Sequence, residues 1–307
     1  MTEELAGGDG PDDSAELKPH QRAVRGGIYD TRNRLNELTG REWKFATKSV
    51  ITEPYPPDLQ HDLRSDHGGQ KPPRLCLDLI ERFSKAGDRV LDPFAGVGGT
   101  LLGASLAEYE GTGYREAVGF ERVERWVELY HTVLNRENHE RGVRGAAPLA
   151  EQDLRHGDCA RLVASLPDDS VDLLLTDVPY WSMDTVSQTR NPRRTTASKL
   201  GRFDAAVDDA QPQSKAAWLD DMTSKFELFL RVLRPDAYVL VFIGDMYRES
   251  SFHFLSAALA TRLESIGLTL KADLIWYDPT KSLHVYGYPY AFVPSMVHQH
   301  VLVLRAD

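Results

Sequence analysis

The stretch Arg89-Val-Leu-Asp-Pro-Phe-Ala-Gly-Val-Gly-Gly-Thr100 decides the fold. Its first four residues form a short, largely apolar run of the kind that makes a buried strand. The glycines that follow permit a tight turn, left-handed backbone and a close approach of main chain to a ligand. Gly99 then starts a helix, and a helix amino end favours a carboxylate or phosphate. A plain β–α turn has the same outline. The dinucleotide-binding spacing G-x-G-x-x-G is missing, because Gly96, Gly98 and Gly99 run as G-x-G-G.

Outward from this stretch, strands and helices alternate. Upstream, Pro72 and Pro73 open a helix over 74–84, with Leu75, Leu77, Leu79, Ile80 and Phe83 on its apolar face. Downstream the pattern predicts a helix at 99–108, a strand at 117–121 and a helix at 123–138. A strand at 153–156, a central strand at 171–176 and a long helix at 214–233 follow. A strand at 237–243, a helix at 251–266 and a late antiparallel pair at 269–276 and 297–304 complete the series. Such alternation means βαβ units in a mostly parallel, doubly wound α/β sheet. Ligands of these sheets bind beyond the carboxyl ends of the strands, so chemistry belongs in the loops after strands. Before the first of these helices, residues 18–48 read as helix followed by irregular chain, and 51–73 as loop.

The chain has 307 residues and a net charge of −10. No apolar run reaches the eighteen residues a membrane span requires. The acidic residues 1–17 read as a disordered tail without a signal sequence, so the expectation is a cytoplasmic protein. Cys76 and Cys159 suggest neither a disulfide framework nor a metal site. His284, His298 and His300 lack ligand spacing with cysteines or carboxylates, so no metal is expected. The acidic sum hides two basic clusters. Lys18, Arg22, Arg25, Arg32, Arg34, Arg41, Lys44 and Lys48 crowd an N-terminal extension, 18–64. Arg190, Arg193, Arg194, Lys199 and Arg202 follow the central strand. Both suit phosphate contacts; both also suit ordinary solvated faces.

The loop after the central strand reads Thr176-Asp-Val-Pro-Tyr-Trp181. Together with Asp92-Pro-Phe-x-Gly-x-Gly-x-Thr100 it resembles the amino-group DNA methyltransferases, the N6-adenine and N4-cytosine enzymes. The resemblance covers roughly residues 65–305. It implies a Rossmann-like fold with a seven-stranded sheet, and S-adenosyl-L-methionine as cofactor. On this resemblance Asp92, Pro93, Phe94, Ala95, Gly96, Gly98 and Thr100 wrap the methionine part. Glu121 takes the ribose hydroxyls, Asp158 holds the adenine, and Asp177 borders the cofactor. Taken singly, Glu121 or Asp158 also suits a helix cap. Gln70-Lys-Pro-Pro-Arg-Leu75 is similar to the family's Lys-Pro motif, which puts Lys71 at the methionine end. The closing 297–305 segment is similar to the family's last strand.

The catalytic tetrapeptide of that family is (Asp/Asn/Ser)-Pro-Pro-Tyr, matched here by Asp177, Val178, Pro179 and Tyr180. An exocyclic amino nitrogen is a poor nucleophile because its lone pair is delocalised into the ring. Asp177 and a main-chain carbonyl at Val178 or Pro179 would take the two amino hydrogens and turn that lone pair outward. Tyr180 would stack on a base flipped out of the duplex, with Trp181 adding stacking surface. Val178 replaces the family's first proline. A residue before proline is still held extended, and this position contributes main-chain atoms, so activity is expected to survive. Asp at the first position leans toward adenine N6 over cytosine N4.

Two inserts remain for recognising DNA. Residues 182–213 carry the second basic cluster. Residues 278–295 contain Tyr286-Gly-Tyr-Pro-Tyr-Ala-Phe292, in which Tyr288 and Tyr290 suit base stacking or simple packing. The implied partner is DNA, with a restriction endonuclease or other defence-system protein as a further candidate. Two alternatives stay open: an RNA base methyltransferase, and an inactive nucleic-acid-binding subunit, the latter motivated by Val178.

Overall fold

The computed structural model describes residues 17–24, 26–181, 214–248, 250–279, 281, 283 and 285–307. The acidic tail and the insert bearing Arg190, Arg193, Arg194, Lys199 and Arg202 therefore lie outside the described residues, as do Arg25 and His284.

The chain begins with a small hairpin, β1 (Gln21–Val24) and β2 (Gly27–Asp30), then α1 (Gly40–Ala46) and a two-residue strand β3 (Val50–Ile51). A single helical turn, α2 (His61–Arg64), precedes α3 (Pro73–Phe83). The alternating series is β4 (Arg89–Asp92), α4 (Gly99–Glu110), β5 (Glu116–Glu121), α5 (Glu124–Val143), β6 (Asp153–His156), α6 (Cys159–Leu162) and β7 (Val171–Asp177). After the insert come α7 (Lys215–Leu230), β8 (Leu233–Ile243), the short hairpin β9 (Met246–Arg248) and β10 (Ser251–His253), α8 (Leu255–Ser265), β11 (Leu268–Tyr277) and β12 (His298–Ala306).

The main sheet has the order β3-β11-β12-β8-β7-β4-β5-β6. Strands β6, β5, β4, β7 and β8 are parallel to their neighbours, and β12 runs antiparallel to both β8 and β11. The Rossmann-like α/β expectation holds, with the two-residue β3 added at one edge of the seven expected strands. Alternate residues feed two cores. Leu240 and Phe242 of β8 pack on one face with Leu75 and Leu79 of α3, Leu101 of α4 and Tyr130 of α5. Val239, Val241 and Ile243 pack on the other with Phe226 of α7 and Leu259 of α8. That division is the period-two geometry of a strand buried on both sides.

Winding starts in the middle. β4 leads to β5 and β6 on one side, while β7 and β8 lie on the other. β4 and β7 are paired neighbours, through Val90 with Leu173 and Leu91 with Leu174. The glycine loop and the Asp177 loop thus leave adjacent strands at the switch point, where such sheets open a crevice.

Three expectations need correction. Residues 18–48 are not helix then coil but a hairpin and one short helix, because Gly26 and Gly27, both at positive φ, turn the chain back. Residues 251–266 are not one helix: β10 occupies the start, and α8 begins only at Leu255. Residues 51–73 are not all loop, since α2 lies among them, and the segment before them is tied to the sheet. Asn36 donates to the Arg82 carbonyl at 2.7 Å, and Glu37 pairs with the fully buried Arg115 guanidinium at 2.9 Å and accepts from the Ala86 amide. Ala86 and Arg115 lead into β4 and β5. This docking is at the end of the sheet opposite the crevice, and Arg32 there folds back on Asp30 at 2.7 Å.

Candidate active site

The crevice is a cleft lined by Pro93, Phe94 and Gly96 of the glycine loop, Glu121 after β5, Asp158 after β6, and Asp177, Val178, Pro179 and Tyr180 after β7. His67, Trp126 and Lys225 complete its wall. Two separate sequence stretches, read for different chemistry, thus meet in one space.

Within the glycine loop, residues divide by role. Gly96 adopts φ +52°, and a Cβ there would come 3.1 Å from His67 Nε2, so this turn tolerates no side chain facing the cleft. Gly98 adopts φ +76° as the N-cap of α4, and its missing Cβ makes room for the Tyr130 ring. Asp92 is buried. Its Oδ1 accepts from Thr176 Oγ at 2.6 Å and from the Phe94 amide at 3.1 Å. Burial raises its pKa to about 6. Thr100 is buried too, with its hydroxyl 3.5 Å from the Leu175 carbonyl. Asp92, Ala95, Gly98 and Thr100 therefore stand behind the loop and brace it against β7 and α5. Pro93, Phe94 and Gly96 face the cleft.

Glu121 binds the loop from the next strand. One carboxylate oxygen accepts from the Gly96 amide at 2.9 Å, the other from the Val123 amide at 2.7 Å. Burial pushes its pKa up, opposed by these amides. A carboxylate offers about four acceptor positions, so further donors still fit. Asp158 performs the cap role that the sequence left open: its Oδ1 accepts from the Ala160 amide at 2.9 Å at the start of α6. It lines the cleft as well.

Lys71 is where the structure differs most from the sequence reading. It lies outside the lining of the cleft and forms an ion pair with Asp177 Oδ2. The two side chains are 8% and 20% exposed, so solvent screens the pair little. The other oxygen of Asp177 accepts from the Tyr180 hydroxyl at 3.0 Å, and Gln299 Nε2 donates to that hydroxyl at 2.6 Å. Burial pushes the Asp177 pKa up, and Lys71 pulls it back down. Tyr180 is pushed well above its ordinary range by burial and by Asp177. Lys281, from the 278–295 loop, comes within electrostatic range of both Asp177 and Lys71, and burial lowers its pKa.

Lys71 is held by its own backbone as well as its charge. The Arg64 guanidinium, 1% exposed, donates to the carbonyls of Leu59, Asp58 and Lys71 at 2.9, 2.9 and 3.4 Å. The Lys71 carbonyl packs 3.0 Å from where a Cβ on Gly99 would stand. The Lys-Pro segment and the start of α4 are thus in direct contact.

Trp181 does not offer stacking surface. It is 7% exposed, edge-on to His253 at 5.1 Å and under the Arg248 guanidinium at 5.0 Å. The β9–β10 hairpin covers it, and its large apolar area belongs to the core. Tyr288 and Tyr290 are 79% and 95% exposed in the loop that carries Lys281.

Sequence reading missed His67, Trp126, Trp218 and Gln299. His67 lies four residues before Lys71 in a glycine-rich turn and packs edge-on against Trp126 at 5.0 Å. Burial lowers its pKa to about 4, so the ring is neutral at pH 7. Gln299 sits between two histidines, and that setting hid it. Among the described residues no group of three or more His, Cys, Asp and Glu is arranged to hold a metal. No helix among them is long and apolar enough to cross a membrane.

Comparison with known families matches residues 18–132 to the N6/N4 methyltransferase family, described as DNA methylase. The match meets the resemblance drawn from the motifs. It holds the glycine loop and Glu121, ends before the Asp177 loop, and begins within the segment read above as an extension. No curated protein matches the chain. Solved structures similar to it include a protein of Thermus thermophilus described as a DNA modification methylase, complexed with S-adenosyl-L-methionine. It has 20% identity over 48% of this chain and 50% of that one, with a TM-score of 0.33. Another is a methyltransferase from Pyrococcus furiosus, with 13% identity over 77% and 84% of the two chains and a TM-score of 0.45. A third is the PvuII cytosine-N4-specific DNA methyltransferase, with 18% identity over 49% and 48% and a TM-score of 0.36. The chain spans about half the length of the first and third of these.

Proposed function

We propose that this protein transfers a methyl group from S-adenosyl-L-methionine to an exocyclic amino group of a DNA base, with adenine N6 favoured over cytosine N4. The observation that carries the reading is the meeting of Asp177–Tyr180 with the Phe94–Gly96 turn, Glu121 and Asp158 around one cleft at the switch point of the sheet.

The cleft suits the cofactor by the chemistry of its lining. A bare glycine turn at Gly96 admits a ligand close to main chain, Glu121 and Asp158 supply acceptors for hydroxyl and amino donors, and Phe94 supplies an apolar wall. When bound, S-adenosyl-L-methionine supplies an electrophilic methyl group on a sulfonium. The chain's own residues prepare the other reactant. Asp177 accepts one amino hydrogen through a lone pair not engaged by Lys71 or Tyr180. The Val178 carbonyl accepts the other. The amino nitrogen then pyramidalises and directs its lone pair toward the cofactor side of the cleft. Tyr180, tethered by its hydroxyl, presents its ring to the base. Positioning of this kind removes much of the entropic barrier to a bimolecular reaction. Tyr288 and Tyr290 are our candidates for contact with the DNA around the target. Arg190, Arg193, Arg194, Lys199 and Arg202 are our candidates for its phosphates.

The test is direct. Incubation with tritiated S-adenosyl-L-methionine and duplex DNA, single-stranded DNA or tRNA, followed by nucleoside analysis, should label N6-methyldeoxyadenosine. The Asp177→Ala variant should lose transfer and keep cofactor binding. Label in RNA alone, or in no substrate, would overturn the reading, and label in N4-methyldeoxycytidine would reverse the choice of base.

A further inference from the structure

The catalytic loop lacks one of the prolines that stiffen its relatives' motif. Pro179 fixes its own φ and keeps Val178 extended. Asp177 is held by the sheet, in register with Phe242 of β8. Val178 is anchored by burial, with 1% of its surface exposed. What no covalent constraint sets is the peptide plane between Pro179 and Tyr180. That plane aims the Pro179 carbonyl and sets the direction in which Tyr180 leaves.

A side chain from another element sets it. Trp218 Nε1 donates to the Pro179 carbonyl at 2.8 Å. Trp218 lies in the first turns of α7, is 3% exposed, and belongs to the same core as Val178. It is not itself among the residues that line the cleft, which it meets only through Pro179. We infer that Trp218 is a positioning residue for the methyl transfer: its indole N–H clamps the Pro179–Tyr180 peptide, a plane that neither Pro179 nor a proline at position 178 would set. The inference rests on the methyl-transfer reading above.

Two consequences follow from the geometry. The Pro179 carbonyl already accepts one donor, and we take the Val178 carbonyl as the main-chain acceptor for the second amino hydrogen. The loop is also fixed at three successive points, by Lys71 on Asp177, Trp218 on Pro179 and Gln299 on Tyr180.

The experiment is a double-mutant cycle on the full chain. Trp218→Phe keeps an aromatic ring and removes the donor. In the parent background it should lower kcat about ten-fold, equivalent to about 1.4 kcal/mol of barrier. The dissociation constant for S-adenosyl-L-methionine should stay within about two-fold, because the clamp acts on the amino side of the reaction. In a Val178→Pro background the same change should cost about as much, since a proline at 178 fixes its own φ and leaves the Pro179–Tyr180 plane to Trp218. Should Trp218→Phe fold poorly, incorporation of benzothienylalanine at position 218 removes the N–H while keeping the bicyclic shape. A kcat within about two-fold of the parent, or a loss confined to the parent background, would overturn the inference. A parent protein that transfers no methyl group at all would instead sink the methyl-transfer reading on its own.

Discussion

Replacing Lys71 by methionine separates two roles for that residue. Methionine preserves most of the apolar stem and removes the charge. In the structure that charge sits on Asp177 Oδ2, with side chains 8% and 20% exposed. An opposite charge at contact lowers a carboxylate pKa by about 1–3 units. Lys281 remains near Asp177 and limits the loss, so we expect the Asp177 pKa to rise by less than loss of every cationic neighbour would bring. The sign is fixed by chemistry. The ionised carboxylate is the stronger acceptor of the amino hydrogen, and burial already raises the Asp177 pKa. Without Lys71 the carboxyl stays protonated to higher pH. The acid limb of the kcat/KM profile, which reports the free enzyme, should therefore move upward. Activity lost near neutrality should return as the pH is raised. Initial rates of tritium transfer across the pH range, with cofactor affinity measured in parallel, make the check. An unmoved acid limb together with cofactor affinity weakened about ten-fold or more would refute the argument. Lys71 would then serve the methionine end of the cofactor, as the Lys-Pro motif implied.

Three further outcomes are expected. Glu121→Ala removes the acceptor of the Gly96 and Val123 amides together with the two charge-assisted bonds proposed for the ribose hydroxyls, whose loss should weaken cofactor binding about 10- to 100-fold; isothermal titration showing less than about three-fold would count against it. Gly98→Ala places a Cβ 2.3 Å from the Tyr130 ring at φ +76° and should cost about 2–4 kcal/mol in urea unfolding, from overpacking and left-handed backbone together. His300 lies between Asp273, 2.8 Å from its Nδ1, and Asp245, 3.4 Å from its Nε2, and its pKa is raised to about 9. Its folded value exceeds the unfolded value near 6.5, so the stability it adds is complete below about pH 6.5 and disappears as pH rises through about 9. His300→Asn should therefore destabilise the protein at pH 6 and be nearly silent at pH 10, and equal losses at both would exclude the charge as the cause.

The regular part of the fold was legible because its physics is local. Strands buried on both faces read as apolar runs, as in 171–176 and 237–243. Helices carry periodic apolar faces, as in α3. Loops after parallel strands point to one crevice, so the glycine turn, Glu121, Asp158 and the Asp177 loop could be assigned to a common place from their order alone. The N-terminal hairpin was illegible for the converse reason. Its four-residue strands are too short for a period, and what fixes it is tertiary: Asn36 on the Arg82 carbonyl and Glu37 on Arg115. Those contacts place it at the end of the sheet opposite the crevice.

Within the site, sequence motifs named the Asp177 loop, the glycine turn and Lys71, and not the contacts that tie them together. A motif is a short run, whereas support arrives from distant segments: Lys71 is 106 positions from Asp177, Gln299 is 119 from Tyr180, and Trp218 is 39 from Pro179. None of these spacings has a period or a signature. The same distinction resolves the irregular residue of the catalytic loop. Taken as a string, Val178 is a missing proline and an argument for an inactive protein. Taken in the fold, its side chain fills the core, and an indole from another helix secures the peptide beyond it. The substitution changes how the loop is stiffened and leaves in place the acceptors that the transfer needs.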